Sequence, residues 1–334
     1  MTLRTFGKLP DGTAVHAIAI AAGGLRAEIL SWGAVLRDLR LDGHAPPLVL
    51  GFDTFEPYPA HSPHFGAIAG RYANRINGGK FTLDGAAHQL DLNQMGRHHL
   101  HGGAGAFGKR PWQIAAHGVD FVTLTMRAPA GEAGYPGNLD VTCTYRIAAP
   151  GTLRVELSAT TDAATLVNLA HHTYFNLDGA ADVGAHTLQI MGDRITATDV
   201  DLIPTGSLMP VAGTAFDFRT KRTINNTAGT RYDTNFCLCD AKRPFAGPVV
   251  RAEGGDGRVA LEVWTTEPGV QFYDGHKVSV PVPGLDGRAY GARAGFCLEP
   301  QVWPDAPNHP GFPSATLRPG DTYRQSTEYR FSRR

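Results

Sequence analysis

The sequence predicts an all-β protein built as one large antiparallel β-sandwich, and three observations support that prediction. Apolar residues recur at every second position along many short segments, as in strands with one buried face. Turn-forming residues are abundant, with 40 glycines and 23 prolines among 334 residues. No window of useful length carries an apolar stripe at the 3.6-residue spacing of a helix. We therefore expect many short strands packed as layered sheets.

The predicted strands follow one another along the chain and are separated by turn signals. In order, alternating segments predict a hairpin over residues 81–92, a strand over 121–126, a hairpin over 139–159, and strands over 259–263 and 322–330. The two hairpins turn at Asp84-Gly85 and Pro150-Gly151, which are typical turn dipeptides. The segments rich in proline and glycine at 55–66, 129–138 and 281–291 are expected to be long loops.

The domain organisation and the class of partner follow from composition. No linker, low-complexity segment or internal repeat divides the chain, so residues 1–334 are expected to form a single domain. The 31 basic and 31 acidic residues balance, which argues against a nucleic-acid or membrane-surface partner. No apolar stretch is long enough to span a bilayer. The N-terminal residues show no secretory signal pattern, so we expect a cytoplasmic protein.

The four cysteines are Cys143, Cys237, Cys239 and Cys297. Their spacing fits neither a disulfide framework nor a zinc site. We expect buried, reduced thiols.

The segment Val167–Leu177 is the most informative part of the chain. Its β-branched and aromatic residues predict a strand, yet two Asn, two His, a Thr and a Tyr interrupt the apolar residues. Polar groups on a buried strand must be hydrogen-bonded or they destabilise the fold. The segment therefore predicts the floor of a pocket for a hydroxyl-rich ligand, with a histidine able to move protons near neutral pH.

Five other polar clusters are candidates for the same pocket. They are GRYANRI (70–76), HHLHGG (98–103), RYDTNF (231–236), TTEPGVQFY (265–273) and GFCLEPQVWPD (295–305). Three of them also have a purely structural interpretation: a solvated loop for the first, a loop cap for Asp233 in the third, and ordinary core and rim for the fourth. Glu299 ends an apolar run, where a carboxylate is costly unless it is paired or functional, and it is a candidate general base.

No metal site is expected at the histidines. On a strand, His99 and His101 would face one way and His98 the other. A cupin-like site would need a carboxylate a few residues later, but residues 104–107 are Ala-Gly-Ala-Phe. His171 and His172 are neighbours on a strand, so they would point to opposite faces and could not readily chelate one ion.

Six sequence blocks together carry a family resemblance. GRYANRI, HHLHGG, NLAHHTYFNL, YDTNF, TTEPGVQFY and GFCLEPQVWPDAPN stand in the order of the signature blocks of the aldose 1-epimerases, or galactose mutarotases. The resemblance runs from about residue 5 to the C-terminus and implies a galactose-mutarotase-like β-sandwich. It implies an isomerase that interconverts the α and β anomers of free aldoses such as D-galactose and D-glucose.

The resemblance also implies roles for individual residues. His172 resembles the acid that protonates the ring oxygen, and Glu299 resembles the base that deprotonates the anomeric hydroxyl. His101 resembles a donor to the anomeric oxygen. The sugar-binding positions implied by the blocks are Asn74, Arg75, Tyr174, Asp233 and Gln271. No metal or organic cofactor is implied.

The chain departs from the family pattern at three pocket-side positions. Many members have Asn at His171 and at His98, and His at Thr234. These departures bear on the preferred sugar rather than on the reaction. Two other functions share the scaffold, a hexose-phosphate 1-epimerase and a non-catalytic sugar-binding protein. The expected partner is a monosaccharide, bound by a monomer or a homodimer.

Overall fold

A computed structural model of the chain describes residues 2–148, 150–225 and 229–334. The strands before residue 165 are β1 (Thr2–Lys8), β2 (Ala14–Ala22), β3 (Leu25–Leu30), β4 (Leu36–Leu41), β5 (Ala67–Ala69), β6 (Arg75–Ile76), β7 (Lys80–Leu83), β8 (Ala86–Gln89), β9 (His99–Leu100), β10 (Gln113–His117), β11 (Phe121–Ala128), β12 (Leu139–Ala148) and β13 (Thr152–Thr161).

The remaining strands lie in the second half of the chain. They are β14 (Thr165–Leu166), β15 (Ala170–His172), β16 (Tyr174–Phe175), β17 (Thr187–Ile190), β18 (Arg194–Thr198), β19 (Pro204–Pro210), β20 (Arg222–Thr223), β21 (Asp233–Cys237), β22 (Gly247–Glu253), β23 (Val259–Thr265), β24 (Gly269–Tyr273), β25 (Phe296–Gln301), β26 (Thr316–Leu317) and β27 (Tyr323–Arg333). Helical structure is limited to the five-residue α-helix α1 (Pro57–His61) and single 3₁₀ turns at Asn77–Gly79, Gly103–Gly105, Phe107–Lys109, Glu132–Gly134, Val183–Ala185, Leu285–Gly287 and Ala306–Asn308 in the described ranges. None of these helices is long and apolar enough to cross a bilayer.

Three sheets of four or more strands form the scaffold. A nine-stranded sheet has the order β10-β11-β12-β13-β27-β23-β22-β17-β20, and a six-stranded sheet has the order β16-β25-β24-β21-β18-β19. A four-stranded sheet, β1-β2-β3-β4, lies at the start of the chain, and the pairs β14-β26, β15-β5, β6-β9 and β7-β8 complete the set. All of these strand pairs are antiparallel. The predicted antiparallel β-sandwich is confirmed.

One apolar core joins the nine-stranded and six-stranded sheets. Leu157 and Val263 from the nine-stranded sheet belong to the same buried cluster as Phe272 and Leu298 from the six-stranded sheet. The rings of Phe175 on β16 and Tyr329 on β27 have centroids 5.1 Å apart, which fixes the two sheets against each other.

The six-stranded sheet carries apolar and polar residues on opposite faces. Phe272 on β24 pairs with Leu298 on β25, and both side chains belong to the core. Gln271 pairs with Glu299 one residue away, so these two side chains point to the other face. The residues of that second face are named here the pocket floor: Tyr174, Asp233, Asn235, Gln271, Tyr273, Cys297 and Glu299.

Most predicted strands are present, with shifts at their ends. The 139–159 hairpin is β12–β13, paired from Leu139 with Thr161 to Ala148 with Thr152, although residue 149 lies outside the described residues. The strand predicted to continue to residue 92 ends at Gln89. The loop predicted at 55–66 contains α1.

The prediction of one continuous strand over 167–177 is wrong. β15 pairs with β5, whereas β16 pairs with β25 of the six-stranded sheet. The chain therefore changes hydrogen-bonding partner at Thr173. That change brings His172 to the edge of the pocket floor.

Candidate active site

His172 and Glu299 meet at the centre of the site. The His172 imidazole Nε2 lies 3.6 Å from Glu299 Oε2, and both side chains are buried. His172 ends β15, and its carbonyl accepts a hydrogen bond of 3.1 Å from Gly66 N. Glu299 is held by its place in β25 opposite Gln271. The two groups proposed from the sequence as acid and base are therefore brought together by two different sheets.

Burial drives both groups of this pair toward their neutral forms. Desolvation lowers the pKa of His172 to about 4. Desolvation, and then the nearby Asp233 carboxylate, raise the pKa of Glu299 well above its usual value, while Arg75 opposes that rise. Glu299 Oε2 has no hydrogen-bond partner in the described structure. Burial therefore favours a proton on the Glu299 carboxyl over an additional proton on the His172 ring.

The Cys297 thiol is the third member of this centre. Its Sγ lies 3.6 Å from His172 Nδ1, so the two ring nitrogens of His172 face a thiol and a carboxylate. In the described ranges, His172, Cys297 and Glu299 are the one group of three potential metal ligands found close together, with ligand atoms within 4.8 Å. Burial raises the pKa of the Cys297 thiol well above its usual value, which disfavours the thiolate that metals prefer. The donor set suits proton transfer better than metal binding.

His101 is fixed by reciprocal bonds with Asn74. His101 Nδ1 accepts a hydrogen bond of 3.1 Å from Asn74 N, and His101 N donates to Asn74 O at 3.0 Å. Because burial, followed by the charges of His64 and His172, lowers the pKa of His101 well below its usual value, the ring is neutral. A neutral ring that accepts at Nδ1 carries its proton at Nε2. His101 therefore offers an Nε2–H donor, and its ring centroid lies 5.2 Å from that of His172.

A chain of polar side chains crosses the pocket floor. Gln271 Nε2 donates to Asp233 Oδ1 at 2.7 Å, and Asp233 Oδ2 lies 3.5 Å from Arg75 Nη2. Arg75 donates from Nη1 to Asn74 Oδ1 at 3.2 Å and from Nε to Gln94 Oε1 at 3.1 Å. Gln271 Oε1 is buried without a hydrogen-bond partner in the described residues. This row of hydrogen-bonded side chains leaves both donors and acceptors for a hydroxyl-rich ligand.

Tyr174 lies against His172 rather than presenting a free hydroxyl. Its ring is stacked on that of His172, with centroids 5.2 Å apart and 20° between the planes. Its hydroxyl donates to the carbonyl of Pro63 at 3.0 Å. The sequence placed Tyr174 among sugar-binding residues, and the geometry adds that its hydroxyl hydrogen is used within the protein.

The predicted shared orientation of His99 and His101 is wrong. β9 ends at Leu100 and His101 adopts a positive φ of 52°, so strand alternation stops before it. His99 instead lies between the Asp91 carboxylate, 2.8 Å from Nδ1, and the Tyr135 hydroxyl, 2.7 Å from Nε2. Asp91 also accepts from Ala104 N at 2.6 Å, so this group of side chains supports the loop that carries His101.

Arg71 has a structural role, and the solvated-loop interpretation of residues 70–76 is wrong. Arg71 is 2% exposed and Arg75 is 7% exposed. The Arg71 guanidinium donates to a hydroxyl and four carbonyls: Thr165 Oγ1, Pro136 O, Gly137 O, Ala128 O and Pro129 O. It therefore fastens the 129–138 loop to the body of the protein.

Sequence reasoning missed two members of the site. Cys297 was expected only to be a buried thiol, and its position two residues before Glu299 on one strand was the available signal. His64 was not singled out at all. Its ring centroid lies 4.9 Å from that of His101 and 5.3 Å from that of His172. The signal was its position in a long loop directly before the FGAIAGRYANRI segment.

The chain belongs to the aldose 1-epimerase family, whose sequence model matches residues 16–330. The galactose mutarotase of Rattus norvegicus is 41% identical over 345 aligned positions, covering 99% of this chain and 98% of the relative. The aldose 1-epimerase of Escherichia coli K12 is 35% identical, covering 96% of each chain.

Solved structures give the same assignment. An aldose epimerase homologue from C. elegans superposes with a TM-score of 0.90 at 32% identity, covering 96% of this chain and 99% of the other. The galactose 1-epimerase of Lactobacillus acidophilus superposes with a TM-score of 0.85 at 26% identity, covering 99% of this chain and 98% of the other.

Proposed function

We propose that this protein is an aldose 1-epimerase that interconverts the α and β anomers of free aldoses, with D-galactose and D-glucose as substrates. The observation that carries the proposal is the buried pair of His172 and Glu299, 3.6 Å apart beside the polar pocket floor. Anomeric exchange requires an acid and a base at one carbon centre, and a pair that shares one proton supplies both.

In this mechanism one proton passes from His172 to the sugar while another passes from the sugar to Glu299. Protonated His172 donates to the ring oxygen while ionised Glu299 takes the proton of the anomeric hydroxyl, and the bond between C1 and the ring oxygen breaks. Rotation about C1–C2 presents the other face of the aldehyde, and the reverse transfers close the ring. Opening leaves neutral His172 and protonated Glu299, which is the form that burial favours. The site therefore stabilises its protein groups in the state that accompanies the open-chain sugar.

The surrounding residues hold the substrate against this pair. The His101 Nε2–H is the donor for the anomeric oxygen, where negative charge develops as its proton leaves. The hydroxyls bind along the chain of Asn74, Arg75, Asp233 and Gln271. Tyr174 supports the ring of His172 and lines the site. No step in this scheme needs a metal or an organic cofactor.

The setting of the enzyme is part of the proposal. Residues 1–334 act as one catalytic domain, working as a monomer or homodimer in the cytoplasm. All four cysteines are free thiols, in keeping with a reducing compartment. The balanced charge gives no support for a nucleic-acid partner.

A hexose-phosphate substrate has no comparable support. A phosphate needs available basic donors, and the two basic residues of the GRYANRI block are Arg71 and Arg75. Arg71 is bonded to loop carbonyls, and Arg75 is bonded to Gln94 and Asn74 and lies beside Asp233. A purely sugar-binding protein would not need both an acid and a base, and both are present here.

Optical rotation of freshly dissolved α-D-galactose and α-D-glucose tests the proposal. We expect the protein to accelerate the approach to the same final rotation. His172→Ala is expected to lower kcat by about 10²–10⁴-fold while leaving the circular dichroism unchanged. His61→Ala, at an exposed position on α1, is the matched control and keeps full activity. Near-full turnover by His172→Ala, or no acceleration by the folded wild type, contradicts the proposal.

A further inference from the structure

His64 lies at the catalytic centre in an unusual backbone conformation. It belongs to the loop between α1 and β5, and its φ of 80° is uncommon for a residue with a side chain. Such conformations persist where the surrounding structure enforces them. Here the conformation places the imidazole against His101 and His172, stacked on the latter with 23° between the rings.

The loop that carries His64 is fastened to the catalytic strand. The Pro63 carbonyl accepts from the Tyr174 hydroxyl at 3.0 Å, and Gly66 N donates to the His172 carbonyl at 3.1 Å. Phe65 N also donates to Ser62 Oγ at 2.8 Å within the loop. Because residues on both sides of His64 are held in this way, its ring has a defined position relative to the acid.

The ring nitrogens of His64 have no hydrogen-bond partner among the described residues. The neighbouring histidines differ: His99 bonds to Tyr135, and His171 Nε2 lies 2.7 Å from Thr173 Oγ1. Desolvation, with the charges of His172 and Lys109, lowers the pKa of His64 to about 3, so the ring is neutral at physiological pH. A neutral imidazole has one N–H donor and one acceptor, and both are left for a ligand.

A metal does not account for this arrangement. Among the described residues, the potential metal ligands that lie close together are His172, Cys297 and Glu299, and the three imidazoles do not form such a group. The rings of His64 and His172 are stacked, so they do not converge on a common point. A hydroxyl-bearing ligand remains the partner that fits an unoccupied donor and acceptor.

We propose that His64 is a further substrate-contacting residue, which hydrogen-bonds the anomeric hydroxyl of the sugar. This rests on the proposed function, in which His101 binds the anomeric oxygen and His172 acts at the ring oxygen. His64 touches both of these rings, so the part of the sugar within its reach is the anomeric end. Its contact therefore depends on the hydroxyl at C1 and not on the hydroxyls bound by Asp233 and Gln271.

Calorimetric titration with two ligands tests this contact. D-Galactose carries the anomeric hydroxyl, whereas 1,5-anhydro-D-galactitol lacks it and is otherwise the same. His64→Gly tolerates the positive φ and removes the ring, and His64→Phe keeps a ring without nitrogens. We expect both variants to bind galactose about 2- to 12-fold more weakly, as for one lost neutral hydrogen bond, with the anhydro compound unchanged. His61→Phe, at the exposed end of α1, is the control and alters neither affinity.

The possible results distinguish a direct contact between His64 and the sugar from a role of His64 in shaping the pocket. If both variants bind galactose and the anhydro compound more weakly by the same factor, His64 only shapes the pocket. If their affinity for galactose is unchanged, His64 does not touch the sugar. Either result overturns the proposal. If His64→Phe does not fold, His64→Gly decides. Mutarotation by the wild type is measured separately, so loss of the proposed function is distinguishable from failure of the His64 contact, which is tested by binding.

Discussion

Replacing Glu299 by glutamine should separate activity from stability. The substitution keeps the shape of the side chain and removes its ability to take a proton. Glu299 is buried, and its Oε2 has no hydrogen-bond partner in the described structure. In the proposed function, Glu299 is an ionisable group at a position where folding alone would favour a neutral one.

The size of the stability effect follows from the raised pKa of Glu299. The folded-state pKa lies well above the usual 4.5, so folding takes up a proton wherever the unfolded chain is ionised. The stability from this group is full below pH 4.5 and is lost as pH rises through the folded-state pKa. Each pH unit inside that window costs about 1.4 kcal/mol. Glu299→Gln removes this cost, so the free energy of unfolding of the variant should rise relative to that of the wild type as pH rises from 5 to 7. Its kcat should be lower by roughly 10²–10⁴-fold.

Urea unfolding at pH 5 and pH 7, together with polarimetry, measures both effects. The free energy of unfolding of Glu299→Gln minus that of the wild type should be larger at pH 7. Glu156→Gln, an exposed carboxyl on β13, should show no such dependence. The reasoning is refuted if the difference is the same at both pH values, if the variant is the less stable protein at pH 7, or if it keeps its activity.

Three further predictions concern the acid, the pocket floor and the loop anchor. Below the His172 pKa of about 4 both groups of the pair are protonated and Glu299 cannot take a proton, so kcat/KM should fall on the acid side with a midpoint near pH 4. A midpoint at 6.5 would contradict the assignment. Asp233→Asn should raise KM by about tenfold with a smaller change in kcat, because one acceptor for Gln271 and the sugar is lost; initial-rate polarimetry measures this, and an unchanged KM would count against it. Arg71→Met removes the donor of five acceptors, three of them in buried hydrogen bonds, and should lower the free energy of unfolding by about 3–5 kcal/mol in urea unfolding, whereas a loss under about 1 kcal/mol would show that the anchor is dispensable.

Strand positions were accessible from the sequence because their signal is local. The alternation along residues 139–147 and the Pro150-Gly151 turn predict β12 and β13 without reference to the rest of the chain. The break at Thr173 was not accessible in the same way. It arises because β15 and β16 pair with β5 and β25, which lie far away in sequence.

The candidate site likewise combines residues with a local sequence signal and residues whose positions depend on distant contacts. Glu299 stood out because a carboxylate in an apolar run needs a reason to be there. The conformation of His101 depends on a reciprocal pair of hydrogen bonds with Asn74, which no spacing rule shows. Arg71 and Arg75 are alike in sequence but differ in function, because one faces loop carbonyls and the other faces the pocket floor. His64 reaches the centre through a positive φ that the neighbouring sequence does not predict.

The pocket floor places a constraint on how this protein can change. Residues of the proposed site and residues of the core alternate along β24 and β25, with Gln271 and Glu299 on one face and Phe272 and Leu298 on the other. A one-residue insertion in either strand would exchange the faces, burying carboxylate and amide groups in the core and turning phenylalanine toward the sugar. New substrate preferences can therefore arise by lengthening the loops that surround the floor, but not by lengthening the strands that form it.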